Sequence, residues 1–263
     1  MSGDAAPELL VERADGLATL TLNRPERLNA LSFSLMVDLA DAVADVASDA
    51  SVGCVILTGA GRGFCAGGDT KQGAERRATG EAAPRAETRI ERSTDRLRRE
   101  MEAARLLHIM PKPSIAMVNG PVAGAGIGLA GACDLRFAAE SATFSSAFAR
   151  IGASGDYGSS WFWTHILGTA KARELFLLGE KLTAAQAHAM GIYHRVYPDA
   201  DLHAEVTGIA RRLADGPRSA WRYMKANLNA ALTGTLEASL DRESVNMVLS
   251  IGAYFAGLPK SET

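Results

Sequence analysis

The amino-acid sequence predicts an α/β fold in which strands and helices alternate and a helical region follows. Short uncharged runs at residues 54–58 and 114–118 are typical of strands that are buried in a parallel sheet. Elsewhere, apolar residues recur at intervals of three and four, which indicates amphipathic helices. The last seventy residues are predicted to be helical. We therefore expect a β/α core over residues 1–195 and a helical region over residues 196–263.

Length and composition fit one globular domain with, at most, a small appendage. The chain has 263 residues, of which 47% are hydrophobic and 22% charged, and its net charge is -2. Such a charge creates no basic field, so we expect no nucleic-acid partner and no binding to an anionic membrane surface. The three cysteines include no Cys-x-x-Cys pair, which argues against a disulfide framework or a zinc site. No basic stretch followed by an apolar run opens the sequence, and we expect a cytoplasmic protein.

The first elements follow from alternation and capping. Residues 8–23 predict two strands joined by a tight turn, because apolar residues alternate on both sides of Asp15-Gly16. Ser32 is a favourable N-cap, and the apolar spacing after it predicts a helix that continues to about Ser48. The chain thus begins with a hairpin and a helix, before the first buried strand.

Residues 86–110 predict one long, charged helix, which Pro111 and Pro113 would end. Seven arginines between positions 85 and 105 raise the possibility of an RNA-associated role. Acidic residues interleave with them, however, and this arrangement favours a solvated helix face on which opposite charges pair. The predicted pairs are Asp95–Arg99, Arg96–Glu100 and Arg98–Glu102.

The middle of the chain alternates short strands with a glycine-rich turn and a helix. We predict strands at residues 114–118, 135–138 and 143–145, and an apolar helix that begins near residue 125. Residues 114–133 form an uncharged segment that is nominally long enough for a membrane span. Five glycines and a proline in that segment argue against a span, since they contribute little transfer free energy.

Downstream, Thr183 and Gln186 have the spacing of a capping box, which predicts a helix start. A strand is predicted near residues 192–197, and no other strand is predicted beyond about residue 170. The C-terminal part is therefore expected to pack as helices.

Two glycine-rich loops are the first candidates for chemistry. One covers residues 64–69, and the other covers residues 119–126 and leads into the apolar helix. The first turn of a helix carries N–H groups without helical partners and lies at the positive end of the helix dipole. Small residues allow a carbonyl group to approach the backbone closely. One N–H from each loop would therefore stabilise the negative charge that develops on a carbonyl oxygen.

Gly126, Gly128 and Gly131 also fit the G-x-G-x-x-G spacing of dinucleotide-binding proteins. That site requires an acidic residue about twenty positions later, which binds a ribose hydroxyl. The corresponding part of this chain contains Arg150 instead. We therefore do not expect a dinucleotide cofactor.

Together, several motifs resemble the crotonase (enoyl-CoA hydratase/isomerase) family over nearly the whole chain. Each motif is weak by itself, but their combination is highly specific. The motifs are Asn23-Arg24-Pro25-x-x-Leu28-Asn29-Ala30-Leu31, Leu57-Thr58-Gly59, Phe64-Cys65-Ala66-Gly67-Gly68-Asp69, Val118-Asn119-Gly120, Ala123-Gly124-Ala125-Gly126, Cys133-Asp134-Leu135, Leu178-Gly179-Glu180 and Ala184-x-x-Ala187-x-x-x-Gly191.

The resemblance implies a crotonase-like spiral of repeated ββα units with a helical C-terminal region that builds homotrimers or hexamers. It implies an acyl-CoA thioester substrate, and because coenzyme A is part of that substrate, no separate cofactor. The two N–H groups of its oxyanion hole correspond to Gly68 and Ala125. Contacts with coenzyme A or the acyl group are expected from Arg27, Ala30, Ala66, Gly68, Thr70, Lys71, Phe148 and Trp161.

The proton-handling residues differ from those of the family's hydratases. The two glutamates of those enzymes correspond here to Gly128 and Phe148, which cannot transfer a proton. Asp156 matches a position at which several isomerases and the hydrolytic dehalogenase of the family carry an aspartate. The resemblance therefore implies isomerase-type proton transfer with Asp156 as the acid/base and the only acid near the site. Burial beside aromatic residues would raise the basicity of this carboxylate.

The sequence leaves other interpretations open. Asp156 would also serve a hydratase by acting on a water, or a hydrolase by acting as the nucleophile. It would alternatively cap a helix that begins near Gly158, without any catalytic role. A non-catalytic relative that binds acyl-CoA or RNA is a further alternative, since the hydratase glutamates are absent.

Overall fold

The computed structural model describes residues 6–70 and 86–256, with the backbone alone for residues 86–89. Its strands are β1 (Leu9–Ala14), β2 (Leu17–Leu22), β3 (Cys54–Gly59), β4 (Ser114–Val118), β5 (Val122–Ala123), β6 (Leu135–Ala139), β7 (Thr143–Ser145), β8 (Leu182–Thr183) and β9 (Arg195–Tyr197). Its helices are α1 (Phe33–Ser48), α2 (Ala86–Glu100), α3 (Glu102–Ile109), α4 (Ala125–Ala132), α5 (Ser159–Leu178), α6 (Ala184–Ala189), α7 (Leu202–Ala214), α8 (Arg218–Ala231) and α9 (Leu236–Ala256).

The main sheet contains six of the described strands, in the order β1-β2-β3-β4-β6-β9. β1 and β2 form the predicted hairpin, since they pair antiparallel around Asp15 (φ 53) and Gly16 (φ 74). The other neighbours in this sheet pair in parallel. Every residue of β3 and β4 is buried, which explains why these two strands lack charged residues.

A smaller sheet has the order β5-β7-β8. Its strands alternate along the chain with those of the main sheet, so that β4 is followed by β5 and α4, and β6 by β7 and α5. Isolated parallel bridges between Leu31 and Gly68 and between Cys65 and Val122 add further strand-like pairing earlier in the chain. This alternation is the repeated ββα winding that the sequence resemblance implies.

Side-chain caps begin two of the helices where the sequence predicts them. Ser32 Oγ accepts a hydrogen bond from Leu35 N (3.1 Å) at the start of α1. At the start of α6, Gln186 N donates to Thr183 Oγ1 (3.2 Å), and Thr183 N donates to Gln186 Oε1 (2.8 Å). The predicted N-cap and capping box are therefore confirmed.

The segment predicted as one helix over residues 86–110 is divided at Met101 into α2 and α3. Ala104 N donates to Met101 O (3.1 Å), a bond over three residues that tightens the helix at this point. Of the predicted ion pairs, Arg96–Glu100 (3.5 Å) and Arg98–Glu102 (3.4 Å) form in this segment. The arginines of this region therefore share the helix surface with carboxylates.

The prediction of a single strand beyond about residue 170 is wrong, because β8 pairs with β7 before β9 begins. β8 and β5 have two residues each, which is too short for an alternating pattern to reveal them. Residues 114–133, the uncharged segment, fold as β4, β5 and α4 rather than as one helix. Among the described residues, no helix combines the length and the apolar character needed to cross a bilayer.

The C-terminal helices differ in how deeply they are buried. α7 contributes Val206 and Ala210 to the hydrophobic core. α8 is fixed by Lys225, whose buried ammonium donates to Asp134 Oδ2 (2.8 Å) and to Leu107 O (2.9 Å). α9 packs against α8 but contains no buried residue. The predicted two-part division of the chain and its assembly into trimers or hexamers stay predictions.

Candidate active site

The first glycine-rich loop is held against the residue before Ser32 by two hydrogen bonds that flank Gly68. Leu31 N donates to Gly67 O (2.7 Å), and Asp69 N donates to Leu31 O (2.9 Å). In this parallel pattern the residue between the two bonds directs its own N–H away from the partner chain. A Cβ added to Gly68 would meet no heavy atom within 4 Å, so that open space lies beside it. The N–H of Gly68 is therefore available to a ligand.

The second loop lies directly beside the first. Ala123 N donates to Cys65 O (2.9 Å), which ties the start of the 119–126 loop to the 64–69 loop. Gly67 has a φ of +94°, and a Cβ there would lie 3.1 Å from Ala123 O and 3.2 Å from Ala125 N. Only glycine suits this position, because both its conformation and its close contact exclude a side chain.

Ala125 is the first residue of α4 and is buried. The backbone N–H groups of a helix's first turn have no partner within the helix, and Gly124 has no side chain that could cap them. The N–H of Ala125 therefore lies at the positive end of the α4 dipole, next to the loop that carries Gly68. Two N–H donors beside one open space can stabilise an oxyanion.

A cavity of about 720 Å³ opens in front of the two loops and reaches α2. Most of the predicted site residues line this cavity together. They are Arg27, Ala30, Ala66, Gly68, Thr70, Ala125, Phe148 and Asp156.

Two predicted contact residues are not among them. Trp161 lies on α5 and lines a different cavity of about 590 Å³, with His108 and Phe162. The ring of His108 meets the rings of Trp161 and Phe162 at centroid distances of 5.2 and 5.3 Å. Lys71 falls outside the described residues, so its predicted contact with coenzyme A stays a prediction.

Asp156 is half-buried in the loop before α5. Its Oδ1 atom is fully buried and has no hydrogen-bond partner among the described residues. Desolvation by burial raises the pKa of this carboxyl from its ordinary value of 3.8 to about 6. A carboxyl that titrates near neutral pH can both accept and donate a proton, as a general acid/base must.

Asp156 does not cap α5 with its side chain. The N-cap of α5 is Gly158, and no side chain makes a capping hydrogen bond there. Ser159 N donates instead to the backbone oxygen of Asp156 (2.9 Å). The capping interpretation of this carboxylate therefore does not hold.

Asp156 also lies close to the glycine-rich loop at residues 64–69. Burial raises the pKa of the Cys65 thiol to about 12, and the negative charge of Asp156 adds to that increase. Cys65 belongs to the loop that carries Gly68, so the carboxylate acts within the same small region as the backbone donors. Gly68, Ala125 and Asp156 therefore all line one cavity.

Of the two positions that correspond to hydratase glutamates, Gly128 has no space for a side chain and Phe148 carries a phenyl ring. A Cβ added to Gly128 would lie 2.6 Å from Tyr157 Cβ and 2.8 Å from Tyr157 O. Phe148 fills the other position, where its ring stacks on Phe176 with a centroid distance of 5.9 Å. Tyr157 therefore occupies the volume into which a side chain at position 128 would project.

Glu100 is a site residue that the sequence analysis missed. It is the last residue of α2, is 5% exposed and lines the same cavity as Asp156. The expectation that Asp156 is the only acid near the site is therefore wrong. In the sequence, Glu100 has the spacing of an ordinary ion-pair partner of Arg96, and nothing in that pattern indicates burial.

Arg24 forms hydrogen bonds with two loops that line the cavity. Its Nη1 donates to Ala30 O (2.5 Å), and its Nη2 donates to Asp69 Oδ2 (3.0 Å). Its Nε also pairs with Glu8 Oε1 (2.8 Å). One guanidinium therefore fixes the 24–30 loop and the residue after Gly68 in relation to each other.

The described residues bring together no group of three or more His, Cys, Asp or Glu side chains that could hold a metal ion.

Comparison with known proteins identifies one enzyme family. A protein-family model described as enoyl-CoA hydratase/isomerase matches residues 12–251. The 1,2-epoxyphenylacetyl-CoA isomerase of Escherichia coli (strain K12) is 41% identical over 87% of this chain and 84% of its own length. The 4-chlorobenzoyl coenzyme A dehalogenase-2 of an Arthrobacter species is 34% identical over 96% of this chain and 88% of its own.

A solved structure gives the same result for the fold. The crystal structure of an enoyl-CoA hydratase from Bacillus anthracis superposes with a TM-score of 0.84 and 27% identity, and the match covers 94% of this chain and 92% of that one. The predicted α/β fold class of the crotonase type is therefore confirmed.

Proposed function

The chain belongs to the enoyl-CoA hydratase/isomerase family, and on that basis we propose that it binds an acyl-CoA thioester and moves a proton of the acyl chain through Asp156. One observation supports this proposal above the others. The buried Oδ1 of Asp156 has no hydrogen-bond partner among the described residues, although the carboxylate lines the cavity beside the oxyanion loops. A buried carboxylate without such a partner is costly and is typical of a functional site.

In the proposed reaction, the thioester oxygen accepts hydrogen bonds from the N–H groups of Gly68 and Ala125. Asp156 removes a proton from C2, and the negative charge moves onto the thioester oxygen as an enolate. The protonated Asp156 then returns the proton to C4, and the double bond moves from C3–C4 to C2–C3. One carboxylate completes the cycle, and neither a metal nor a separate cofactor takes part.

Coenzyme A is proposed to enter between the 24–30 loop and residues 66–70. Arg27 and Arg62 line the cavity and carry positive charge that suits phosphate groups. Ala30 and Ala66 also line the cavity, and neither has a long side chain that would fill it. The apolar residue Phe148 is proposed to contact the acyl group.

A second candidate reaction is hydrolysis, with Asp156 as the nucleophile. The similarity to a 4-chlorobenzoyl coenzyme A dehalogenase motivates it, because a family member of that name acts on an aromatic thioester. A covalent ester on Asp156, trapped by rapid quenching with a 4-halobenzoyl-CoA and located by peptide mass spectrometry, would support this candidate. Recovery of unmodified Asp156 peptide together with double-bond migration would support the isomerase reaction instead.

The test of the main proposal compares wild type with Asp156→Asn on 3-enoyl-CoA thioesters. We expect loss of double-bond migration by at least about 100-fold, which is the range for removal of a general acid/base. Affinity for a saturated acyl-CoA should change little, because the oxyanion donors are backbone groups. Migration by Asp156→Asn at the rate of wild type would contradict the proposal.

We also propose assembly into a homotrimer or a pair of trimers. Large apolar side chains of α9 are exposed in the single chain, among them Leu240, Val248 and Phe255. Exposed apolar surface of this extent is typical of an oligomer interface. Mass determination by light scattering tests this, and a monomer at micromolar concentration would contradict it.

A further inference from the structure

Tyr157, the residue after Asp156, has a buried hydroxyl to which the proposed function gives no role. Tyr157 is 1% exposed, and its Oη atom has no hydrogen-bond partner among the described residues. The same is true of Asp156 Oδ1. A donor and an acceptor on adjacent residues of one cavity wall are therefore both unsatisfied, and each such group is costly to bury.

The backbone holds Tyr157 in an unfavourable conformation. Its φ of +49° lies in the left-handed region, which aromatic residues rarely adopt. Its N–H donates a hydrogen bond to Met101 Sδ (3.0 Å), and the absence of a side chain at Gly128 leaves room for its Cβ. Tyr157 is therefore fixed between α4 and the junction of α2 and α3. Strained residues of this kind are concentrated at functional sites.

The phenol of Tyr157 stays neutral while Asp156 titrates. Burial raises the pKa of Tyr157, and the negative charge of Asp156 is the largest further cause, ahead of Glu100 from α2 and Cys65 from the 64–69 loop. A neutral phenol donates a hydrogen bond to an ionised carboxylate and accepts one from a protonated carboxyl. It therefore suits both forms of a group that gains and loses a proton in each cycle.

We propose that Tyr157 is a positioning residue whose phenol donates a hydrogen bond to Asp156 Oδ1 when an acyl-CoA fills the cavity, so that Oδ2 is left to exchange the proton with the substrate. The inference rests on the proposed function, because it concerns how Asp156 is oriented during that reaction. A bound acyl chain excludes water from the cavity, and the ionised carboxylate then needs a donor from the protein. The bond forms in the complex, since the two groups are unpaired in the free protein.

Ser159 is the alternative donor. Its Oγ is also buried without a hydrogen-bond partner among the described residues, and its N–H donates to Asp156 O (2.9 Å). Unlike Tyr157, however, Ser159 is not among the residues that line the cavity with Asp156. These observations favour Tyr157, and the variant Ser159→Ala tests the alternative.

Tyr157→Phe isolates the contribution of the phenol hydroxyl, because it removes one oxygen and keeps the ring. Among the described residues, the other ionisable groups that line the cavity are Glu26, Arg27, Arg62, Asp69, Arg96 and Glu100. On the far side of Tyr157, the second cavity is lined by Arg98, Arg105 and His108. All these groups are the same in wild type and in Tyr157→Phe, so a difference in the titration of Asp156 reports the hydroxyl.

The experiment titrates Asp156 in the free protein and in the presence of saturating butyryl-CoA. Infrared difference spectroscopy follows the C=O band of the protonated carboxyl, which is assigned to Asp156 by its loss in Asp156→Asn. The free forms of wild type and Tyr157→Phe should titrate at the same pH. In the butyryl-CoA complex, the midpoint should be about one pH unit higher in Tyr157→Phe, because a hydrogen bond to the charged form is lost. For double-bond migration, kcat should fall about tenfold in this variant while KM changes less than about twofold.

Tyr193→Phe is the matched control. Tyr193 is also 1% exposed, and its hydroxyl lacks a hydrogen-bond partner among the described residues, but it lines neither cavity. This variant should leave both midpoints and kcat unchanged.

Equal midpoints of wild type and Tyr157→Phe in the butyryl-CoA complex would overturn the inference. A midpoint that moves in Ser159→Ala and not in Tyr157→Phe would overturn it as well, by assigning the donor to Ser159. Migration by Asp156→Asn at the rate of wild type would instead contradict the proposed function. The two failures are distinguishable, because the titration requires binding of butyryl-CoA but no turnover.

Discussion

The two sides of the cavity are built from different parts of the chain. On one side, the oxyanion loops (residues 64–69 and 119–126) present backbone N–H groups that are fixed by loop-to-loop hydrogen bonds. On the other side, the carboxylate wall, which comprises Glu100, Asp156 and Tyr157, presents side chains from α2 and from the loop before α5. The shape of the loops depends on glycine and other small residues, whereas the chemistry of the wall depends on which side chains occupy it.

This difference explains how one fold can support several reactions. Backbone donors persist when side chains change, because every residue except proline carries an N–H. A carboxylate can be lost at one position and gained at another without disturbing the strands that hold the loops. Relatives of this chain are accordingly named as an isomerase, a dehalogenase and hydratases. The chemistry of this family member is therefore to be sought in the carboxylate wall.

The largest effect is expected where the backbone itself is changed. Ala125→Pro removes the N–H at the first position of α4, where proline is compatible with a helix start. We expect turnover to fall by about 10²–10³-fold, the range for loss of one oxyanion donor. Ala125→Gly keeps the N–H and should cost less than about tenfold. Comparable turnover of the two variants would show that the donor is not the N–H of residue 125.

A smaller effect is expected from filling the space beside the carboxylate wall. Gly128→Ala places a methyl group 2.6 Å from Tyr157 Cβ, so Tyr157 or α4 must move. Overpacking of this kind costs about 1–3 kcal/mol of unfolding free energy. Urea denaturation measures it, and turnover should fall as well, since Asp156 precedes Tyr157.

Gly208→Ala in α7 is the matched control, because a Cβ there meets no heavy atom within 4 Å. Because alanine favours a helix interior over glycine, this variant should raise the free energy of unfolding by up to about 1 kcal/mol. Equal denaturation midpoints for the two variants would argue against the tight contact between Gly128 and Tyr157.

The smallest of these effects should be the dependence of activity and stability on pH. Because C2 proton removal needs ionised Asp156, kcat/KM for double-bond migration should rise with pH and reach half its plateau at about pH 6. The folded state holds the Asp156 proton more tightly than the unfolded state, whose pKa is near 3.8. This group therefore lowers stability as pH rises from about 4 to about 6.

Asp156→Asn lacks that titration and should unfold at a higher temperature than wild type above about pH 6, with the difference disappearing near pH 4. Thermal unfolding at a series of pH values measures this difference. A constant difference across that range would contradict the raised pKa.

Much of the fold follows from local patterns in the sequence. The hairpin, the N-cap at Ser32, the buried strands β3 and β4 and the capping box at Thr183 are each specified by adjacent residues. The short strands β5 and β8 could not be predicted, because two residues form a strand only when a partner is already in place. The break at Met101 likewise lacks a glycine or proline that would indicate it.

The sequence by itself identified the two glycine-rich loops, since their small residues are contiguous in the chain and their spacing carries the family resemblance. It also singled out Asp156. Only the tertiary structure decided that Glu100 joins Asp156 at one cavity, that Trp161 lines another and that Tyr157 occupies the space beside Gly128. The physical reason is that burial and contact between distant segments are set by packing, whereas helix periodicity gives Glu100 the same pattern as a surface ion-pair residue.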